Sequence, residues 1–309
     1  MIVPVLLVAG ALGAGKTTLL NHLLANPDGR RIAAVVNDFG AVDIDAQLLG
    51  KVTEEVISLK NGCICCSLQG DLLRTLSSVI KRDPAPDAIA IETSGISDPA
   101  EIIRNLMDPV IFKVAPLETV VTLVDPQRLQ DDPDIAQDAL WRSQLRAADF
   151  VLLTKSDLLD RAALDRARAI IGQTKPQSAI FEIARGIVAP DLLFSRDLRA
   201  PRELPRQMPT MSEPFATVTW TSHAPLSLVR FQQVIGQLAP RTLRIKGVLQ
   251  FSEHPGMPIL FQSVATRGTL APSPVPPADG LTAQLVLIGR EGELDAADID
   301  ALLRGVIVS

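Results

Sequence analysis

Two short stretches of the chain carry residue types whose spacing could do chemistry. Gly10-Ala-Leu-Gly13-Ala14-Gly15-Lys16-Thr17 fits the pattern G-x-x-x-x-G-K-[ST]. Its glycines let backbone N–H groups curl around phosphates, and a helix opening at Lys16 adds its positive dipole end. The Lys16 ammonium would neutralise the β- and γ-phosphates, and the Thr17 hydroxyl would ligate Mg²⁺. The expected cradle is Gly10, Gly13, Ala14, Gly15, Lys16, Thr17 and Thr18. A glycine-rich turn that binds nothing would share the glycines, but not the ordered strand, loop, Lys-Thr pair and helix.

The second stretch, Asn61-Gly62-Cys63-Ile64-Cys65-Cys66, holds all three cysteines of the protein. Thiolates are soft ligands suited to Zn²⁺ and related ions. Three sulfurs leave a tetrahedral ion one exchangeable position, whereas structural zinc sites usually close all four. Packed free cysteines and redox chemistry are the competing readings of Cys63, Cys65 and Cys66.

Two further segments extend the first motif. Ala88-Ile-Ala-Ile-Glu92 is four apolar positions followed by a carboxylate. Glu92 would hold Mg²⁺ through water or place the attacking water, so Lys16 and Glu92 are the expected catalytic pair. The Gly95 backbone is positioned to sense the γ-phosphate. Thr154-Lys155-Ser156-Asp157 ends another apolar run. An Asp there accepts from guanine N1–H and N2–H₂, whereas adenine offers an acceptor at N1 and no N2 donor. Lys155 would lie along the base and pack against the loop. GTP is therefore expected over ATP.

These residues need a scaffold, and the chain supplies one. Continuous apolar strands are expected near 3–9, 32–36, 55–59, 88–92, 119–124, 150–154 and 178–183. Helical patterns lie between several of them, notably over 16–24, 68–81 and 162–171. Such alternation implies an α/β fold with a mostly parallel sheet and helices on both faces, and the Gly10–Thr17 motif makes the expected fold a P-loop NTPase. Ser195 to Pro214 is rich in Pro and Arg and has no period, so it reads as a linker. A smaller α+β unit should follow. Its strands are expected near 215–221, 243–251, 258–265 and 282–288, its helices near 226–238 and 296–303. The proline-rich LAPSPVPPADG is expected to be a loop within it. The domains are expected at 1–195 and 214–309, joined by 196–213.

Composition narrows the partners. Hydrophobic residues make up 47% and charged residues 21%, with a net charge of -5 and aromatic content of only 4%. That balance argues against nucleic acid or anionic membrane as the main partner. The apolar N-terminus lacks a basic region and runs straight into glycines and Lys16, which fits a buried strand better than a signal peptide. The expected compartment is the cytoplasm, where clustered cysteines point to metal or redox chemistry.

GALGAGKTTLLNHLL, VVNDFGAVDID, NGCICCSLQGDLL, IETSGISDP and TKSD occur in the order and spacing of the CobW-like GTPases. The chain resembles these metallochaperone P-loop GTPases, which are related to the urease and hydrogenase accessory GTPases. LRIKGVLQF and LVLIGREGELD resemble the family's smaller C-terminal domain. The resemblance implies metal-linked GTP hydrolysis, with the Cys-x-Cys-Cys segment as metal site and the VVNDFG segment as a switch. Where the family usually has Asn-Glu-Phe-Gly this chain has Asp38, a ligand candidate one methylene shorter. Where its guanine motif begins with Asn this chain has Thr154, whose hydroxyl can partly replace it. Some members carry histidine-rich tails and this sequence shows none, so bulk metal storage is not expected.

The expected function is a GTPase that delivers a transition metal, Zn²⁺ or Co²⁺, to a client metalloprotein; a homodimer stays open as its assembly. A P-loop small-molecule kinase, or a GTP-dependent switch with a purely structural metal site, are the alternatives.

Overall fold

The computed structural model describes residues 2–36, 56–58, 68–176, 178–194, 215–265, 267–273, 276–277 and 280–308. They fall into two compact units, one ending at Phe194 and one beginning at Phe215.

The first unit is built on strands β1 (Val5–Gly10), β2 (Ile32–Val36), β3 (Val56–Ser58), β4 (Ala88–Glu92), β5 (Leu117–Val124), β6 (Phe150–Leu153) and β7 (Ala179–Glu182). They form a seven-stranded sheet in the order β3-β2-β4-β1-β5-β6-β7, with every pairing parallel. Each residue of β1, β2, β4, β5 and β6 is buried. This burial on both faces explains why these strands read as largely apolar runs rather than alternating ones, with buried Glu118, Thr119 and Thr122 interrupting β5 and Glu92 ending β4.

The helices of this unit are α1 (Lys16–Ala25), α2 (Leu68–Ile80), α3 (Pro99–Leu106), α4 (Pro109–Phe112), α5 (Pro126–Asp131), α6 (Ala139–Ala147), α7 (Arg161–Thr174) and α8 (Pro190–Leu193). Val5 and Leu7 of β1 share a core with Leu72 and Leu76 of α2 and Ile102 and Leu106 of α3. Successive strand residues face opposite ways, and α1 packs on β1, β2 and β4 through buried Leu19, Leu20 and Leu23. The chain leaves β1 toward β2 on one side and leaves β5 toward β6 on the other. Their C-terminal ends thus flank a crevice of the kind in which such sheets bind ligands.

Helices α3, α5, α6 and α7 each start on an aspartate that accepts from a first-turn backbone N–H: Asp98 from Ala100, Asp125 from Gln127, Asp138 from Trp141 and Asp160 from Ala163. Proline occupies the first helical position after Asp98 and Asp125, where its missing N–H costs nothing.

The second unit is a five-stranded antiparallel sheet with α9 (Leu228–Leu238) and α10 (Ala296–Arg304). Its strands are β8 (Phe215–Ser222), β9 (Arg244–Gln250), β10 (Pro258–Val264), β11 (Arg267–Pro272) and β12 (Ala283–Arg290), ordered β11-β10-β9-β12-β8. Phe231 stacks edge-on against Phe251 and Phe261, and Leu285, Leu287, Ile299 and Leu303 complete this core. Strand β11 takes in the start of the stretch expected to be a loop, Leu270 to Pro272. It is a largely exposed edge strand with no apolar alternation to read. Among the described residues no helix is long and apolar enough to cross a membrane.

Candidate nucleotide-binding site

The glycine-rich turn leaves the end of β1, and Gly15 caps α1 in the left-handed conformation at φ 95°. No acidic residue lies in the first turn of α1 itself, which leaves the helix's own sequence favourable to an anion at this end. The Lys16 side chain is buried, and its Nζ donates to the carbonyls of Gly10 and Ala11 at 3.0 and 3.1 Å. The ammonium is thereby held across the turn.

Glu92 enters from β4, which lies between β1 and β2. The Thr17 hydroxyl lies 3.3 and 3.4 Å from the two Glu92 carboxylate oxygens. A hydroxyl and a buried carboxylate converging beside a phosphate cradle form an oxygen donor set of the kind a hard cation takes. Next to Glu92, Thr93 is fully buried and its Oγ1 has no hydrogen-bond partner among the described residues.

Gly95 follows at close quarters. A Cβ at Gly95 would sit 2.5 Å from the backbone nitrogen of Leu12, so this segment lies directly on the glycine-rich turn. Arg128 fixes the same turn from another side, donating from Nη1 to the Leu12 carbonyl at 2.8 Å. Buried Gln144 of α6 reaches the carbonyls of Gly95 and Ser97, both at 3.4 Å, and Ser143 donates to Asp98 at 2.7 Å. Sequence reasoning missed Arg128, Ser143 and Gln144, because a polar residue on a helix carries no motif.

The Thr154–Asp157 segment follows β6. Thr154 is buried, and its hydroxyl donates to the Val124 carbonyl at 3.3 Å. Its methyl carbon lies 3.6 Å from where a Gly15 Cβ would stand, which joins this segment to the phosphate turn. Lys155 adopts φ 54°, and its Nζ pairs with Asp125 Oδ2 at 2.5 Å. The Asp157 carboxylate is more than a third exposed, in a short turn over Ser156–Leu158, with Arg185 Nε 3.8 Å away. Asp125 and Arg185 were also missed; both stand on segments that follow other strands of the sheet.

Asp38, Cys63, Cys65 and Cys66 lie outside the described residues, as does the expected linker. Among the described residues no cluster of three or more His, Cys, Asp or Glu could hold a metal ion. The strands leading to the Asp38 and cysteine segments are described. Pairing puts Val8 beside Glu92, Glu92 beside Val36, and Val36 beside Ser58. The chain therefore sets out toward Asp38 and toward the cysteines from neighbouring strand ends, in one row with Glu92.

Residues 4–182 match the model of the CobW/HypB/UreG nucleotide-binding domain, and residues 215–307 match that of the cobalamin synthesis protein cobW C-terminal domain. The chain is 33% identical to the zinc chaperone CobW of Pseudomonas aeruginosa over 345 residues, covering 97% of this chain and 90% of the relative. It is 30% identical to the zinc chaperone YjiA of Escherichia coli, covering 85% and 86%. The zinc-regulated GTPase metalloprotein activator 1 of Schizosaccharomyces pombe is 32% identical over 60% of this chain and 46% of that protein. The chain belongs to the CobW/HypB/UreG family of nucleotide-binding proteins.

Proposed function

We propose that this protein is a GTPase that uses GTP binding and hydrolysis to hold a transition-metal ion and hand it to a client metalloprotein. The observation that carries the reading is the row Val8–Glu92–Val36–Ser58, which starts the phosphate turn, the Asp38 segment and the cysteine segment from adjacent strand ends. Zinc is the favoured cargo because relatives covering most of the chain are named zinc chaperones; cobalt suits the same thiolates.

In this reading Gly10 through Thr18 cradle the phosphates and Lys16 neutralises them. Thr17 and Glu92 would hold Mg²⁺, which supplies charge neutralisation on the phosphate oxygens when bound. Glu92 also orients the attacking water, and Gly95 donates its backbone N–H toward the γ-phosphate. Asp157 selects guanine, while Thr154 and Lys155 fix its turn. Cys63, Cys65 and Cys66 carry the cargo ion, with Asp38 as a further ligand. Loss of the γ-phosphate relaxes the segment between Glu92 and Gly95 and, through the shared row, the ligand geometry. These steps occupy residues 1–195, with 196–213 as linker and 214–309 as the second domain, in the cytoplasm.

The test measures GTP hydrolysis by the full chain with defined metals, combined with client capture in each nucleotide state. Hydrolysis that responds to Zn²⁺ or Co²⁺, with capture dependent on nucleotide, supports the reading. Phosphorylation of a small metabolite would replace it with a kinase, and a chelator-resistant ion indifferent to nucleotide would leave a structural metal site.

A further inference from the structure

One peptide of the phosphate turn can face two ways. Ala14 N donates to Ala11 O at 3.2 Å, which closes a four-residue turn over Ala11–Ala14. Gly13, the third residue of that turn, has φ 74°, while Leu12, the second, does not share the positive φ. That is the type II pattern. Type II differs from type I in the peptide between the two central residues, here Leu12–Gly13, which is rotated by about half a turn. A trans peptide points its C=O and N–H in opposite directions, so the Gly13 N–H faces away from wherever the Leu12 carbonyl faces. Glycine accepts either sign of φ, so residue 13 does not hold the turn in one form by its own conformational preference. Packing does not hold it there either, since a Cβ at Gly13 would meet nothing within 4 Å.

Arg128 supplies the hold. Its Nη1 donates to Leu12 O at 2.8 Å, and a hydrogen bond from a charged donor is roughly twice as strong as a neutral one. Among the described residues the guanidinium forms no ion pair, so its charge is directed at this carbonyl. The base from which it reaches is firm. Helix α5 is capped by Asp125, which also pairs with Lys155, and Leu129 beside Arg128 is buried. On another side the same residue meets the segment after β4, where a Cβ at Gly95 would lie 2.5 Å from Leu12 N.

We infer that Arg128 is a positioning residue for GTP hydrolysis: by holding the Leu12 carbonyl it keeps the Gly13 N–H aimed into the phosphate cradle, at the oxygen on which charge grows as the γ-phosphate departs. A donor already in place needs no reorientation when that charge develops. Without Arg128 the peptide is free to rotate, and part of the population presents the Leu12 oxygen to the phosphates instead, which repels them. The inference rests on the phosphate-cradle reading given above.

The experiment compares the full chain with Arg128→Ala and Arg128→Lys. GTP turnover, KM, GDP affinity and the amide proton resonance of Gly13 with GDP bound are measured for each. Arg128 is exposed, so the fold is expected to survive its truncation, and a urea melt checks this. Arg128→Ala should lower kcat roughly tenfold, less than the ~100-fold that follows outright removal of a preorganised donor. KM and GDP affinity should stay within about twofold, because the contact gains most of its strength in the transition state. The Gly13 amide proton, shifted downfield in the parent by its phosphate, should move part of the way upfield. Arg128→Lys, which keeps a charged donor, should recover part of both effects. Parallel losses of kcat and GDP affinity would make Arg128 a general brace of the turn and overturn the inference. An unchanged kcat, an unmoved Gly13 resonance or no recovery with lysine would overturn it as well. A parent that binds no GDP would remove the cradle reading itself, and the role of Arg128 with it.

Discussion

Lys155 Nζ lies 2.5 Å from Asp125 Oδ2, so the segments that follow β5 and β6 are joined by an ion pair at the mouth of the site. Asp125 has a second duty as the cap of α5, where its Oδ1 accepts from Gln127 N at 3.0 Å. Asp125→Asn can keep the cap and loses the charge. We expect the denaturation midpoint to change little and GDP affinity to fall several-fold, because Lys155 loses the partner that holds it. A titration beside a urea melt checks this. Equal affinity in parent and variant would make the pair a surface contact of no consequence, as many exposed pairs are.

Lys16→Ala should remove phosphate neutralisation and lower GTP turnover by at least ~100-fold, the scale of losing one preorganised electrostatic group. The fold should survive, because the Lys16 amine is held mainly across a turn that the glycines shape. Phosphate release under saturating GTP is the measurement. Turnover at the parent rate would mean that the glycine-rich turn does not serve hydrolysis.

Gly95→Ala tests the contact between the segment after β4 and the phosphate turn. The new methyl would meet backbone at Leu12, which cannot swing aside as a side chain could. Overpacking of this kind costs about 1–3 kcal/mol. The expected result is a lowered denaturation midpoint together with reduced GTP hydrolysis, while GDP binding is affected less. Full activity with full stability would show that the two segments part easily.

The cysteine segment and the γ-phosphate should be coupled reciprocally: GTP tightens the metal by the factor with which the metal tightens GTP. Coupling of this kind is typically about 1–3 kcal/mol. Cys65→Ser, or Cys65→Ser with Cys66→Ser, should weaken Zn²⁺ binding and erase the coupling while leaving metal-independent GTP binding intact. Thiolate ligation releases protons, so affinity should fall as pH drops. Zn²⁺ is titrated with a non-hydrolysable GTP analogue and then with GDP. Equal affinities in both states would reduce the two sites to neighbours.

In the second unit Glu253 accepts from Leu228 N at the start of α9, and from the hydroxyls of Ser227 and Ser252. The Leu228 hydrogen bond, against a smaller opposing effect of desolvation, lowers its pKa from 4.5 to about 2. A carboxyl depressed in the folded state stabilises above its unfolded pKa and loses that contribution as pH falls through the folded one. The stability difference between parent and Glu253→Ala should therefore be full at pH 7 and shrink from about pH 4.5 down to about 2. Urea midpoints across that range decide it; a difference independent of pH would assign the effect to lost packing.

The elements most legible in the sequence were those buried on both faces. VLLVAG, AIAIE and FVLL could hardly be anything but central strands, and the phosphate turn announced itself through Gly10 to Thr17. Helices α3 and α5 were not named, although Asp98-Pro99 and Asp125-Pro126 spell an N-cap followed by a first-turn proline. That signal was available and local. Strand β11 was hidden because an exposed edge needs no apolar alternation. The residues that fasten the site, Arg128, Gln144 and Arg185, were beyond sequence reasoning for a different reason. Each acts on a segment far away in the chain, and only the strand order brings them together.

Strand β3 pairs with β2 alone among the described strands and is three residues long, whereas β4 and β1 are bonded on both sides. A short border strand can absorb insertions and sequence drift that an interior strand cannot. On the proposed reading, the border position of β3 lets the chain after Ser58 vary in sequence without recutting β4 and β1, the interior strands that carry Glu92 and the phosphate turn.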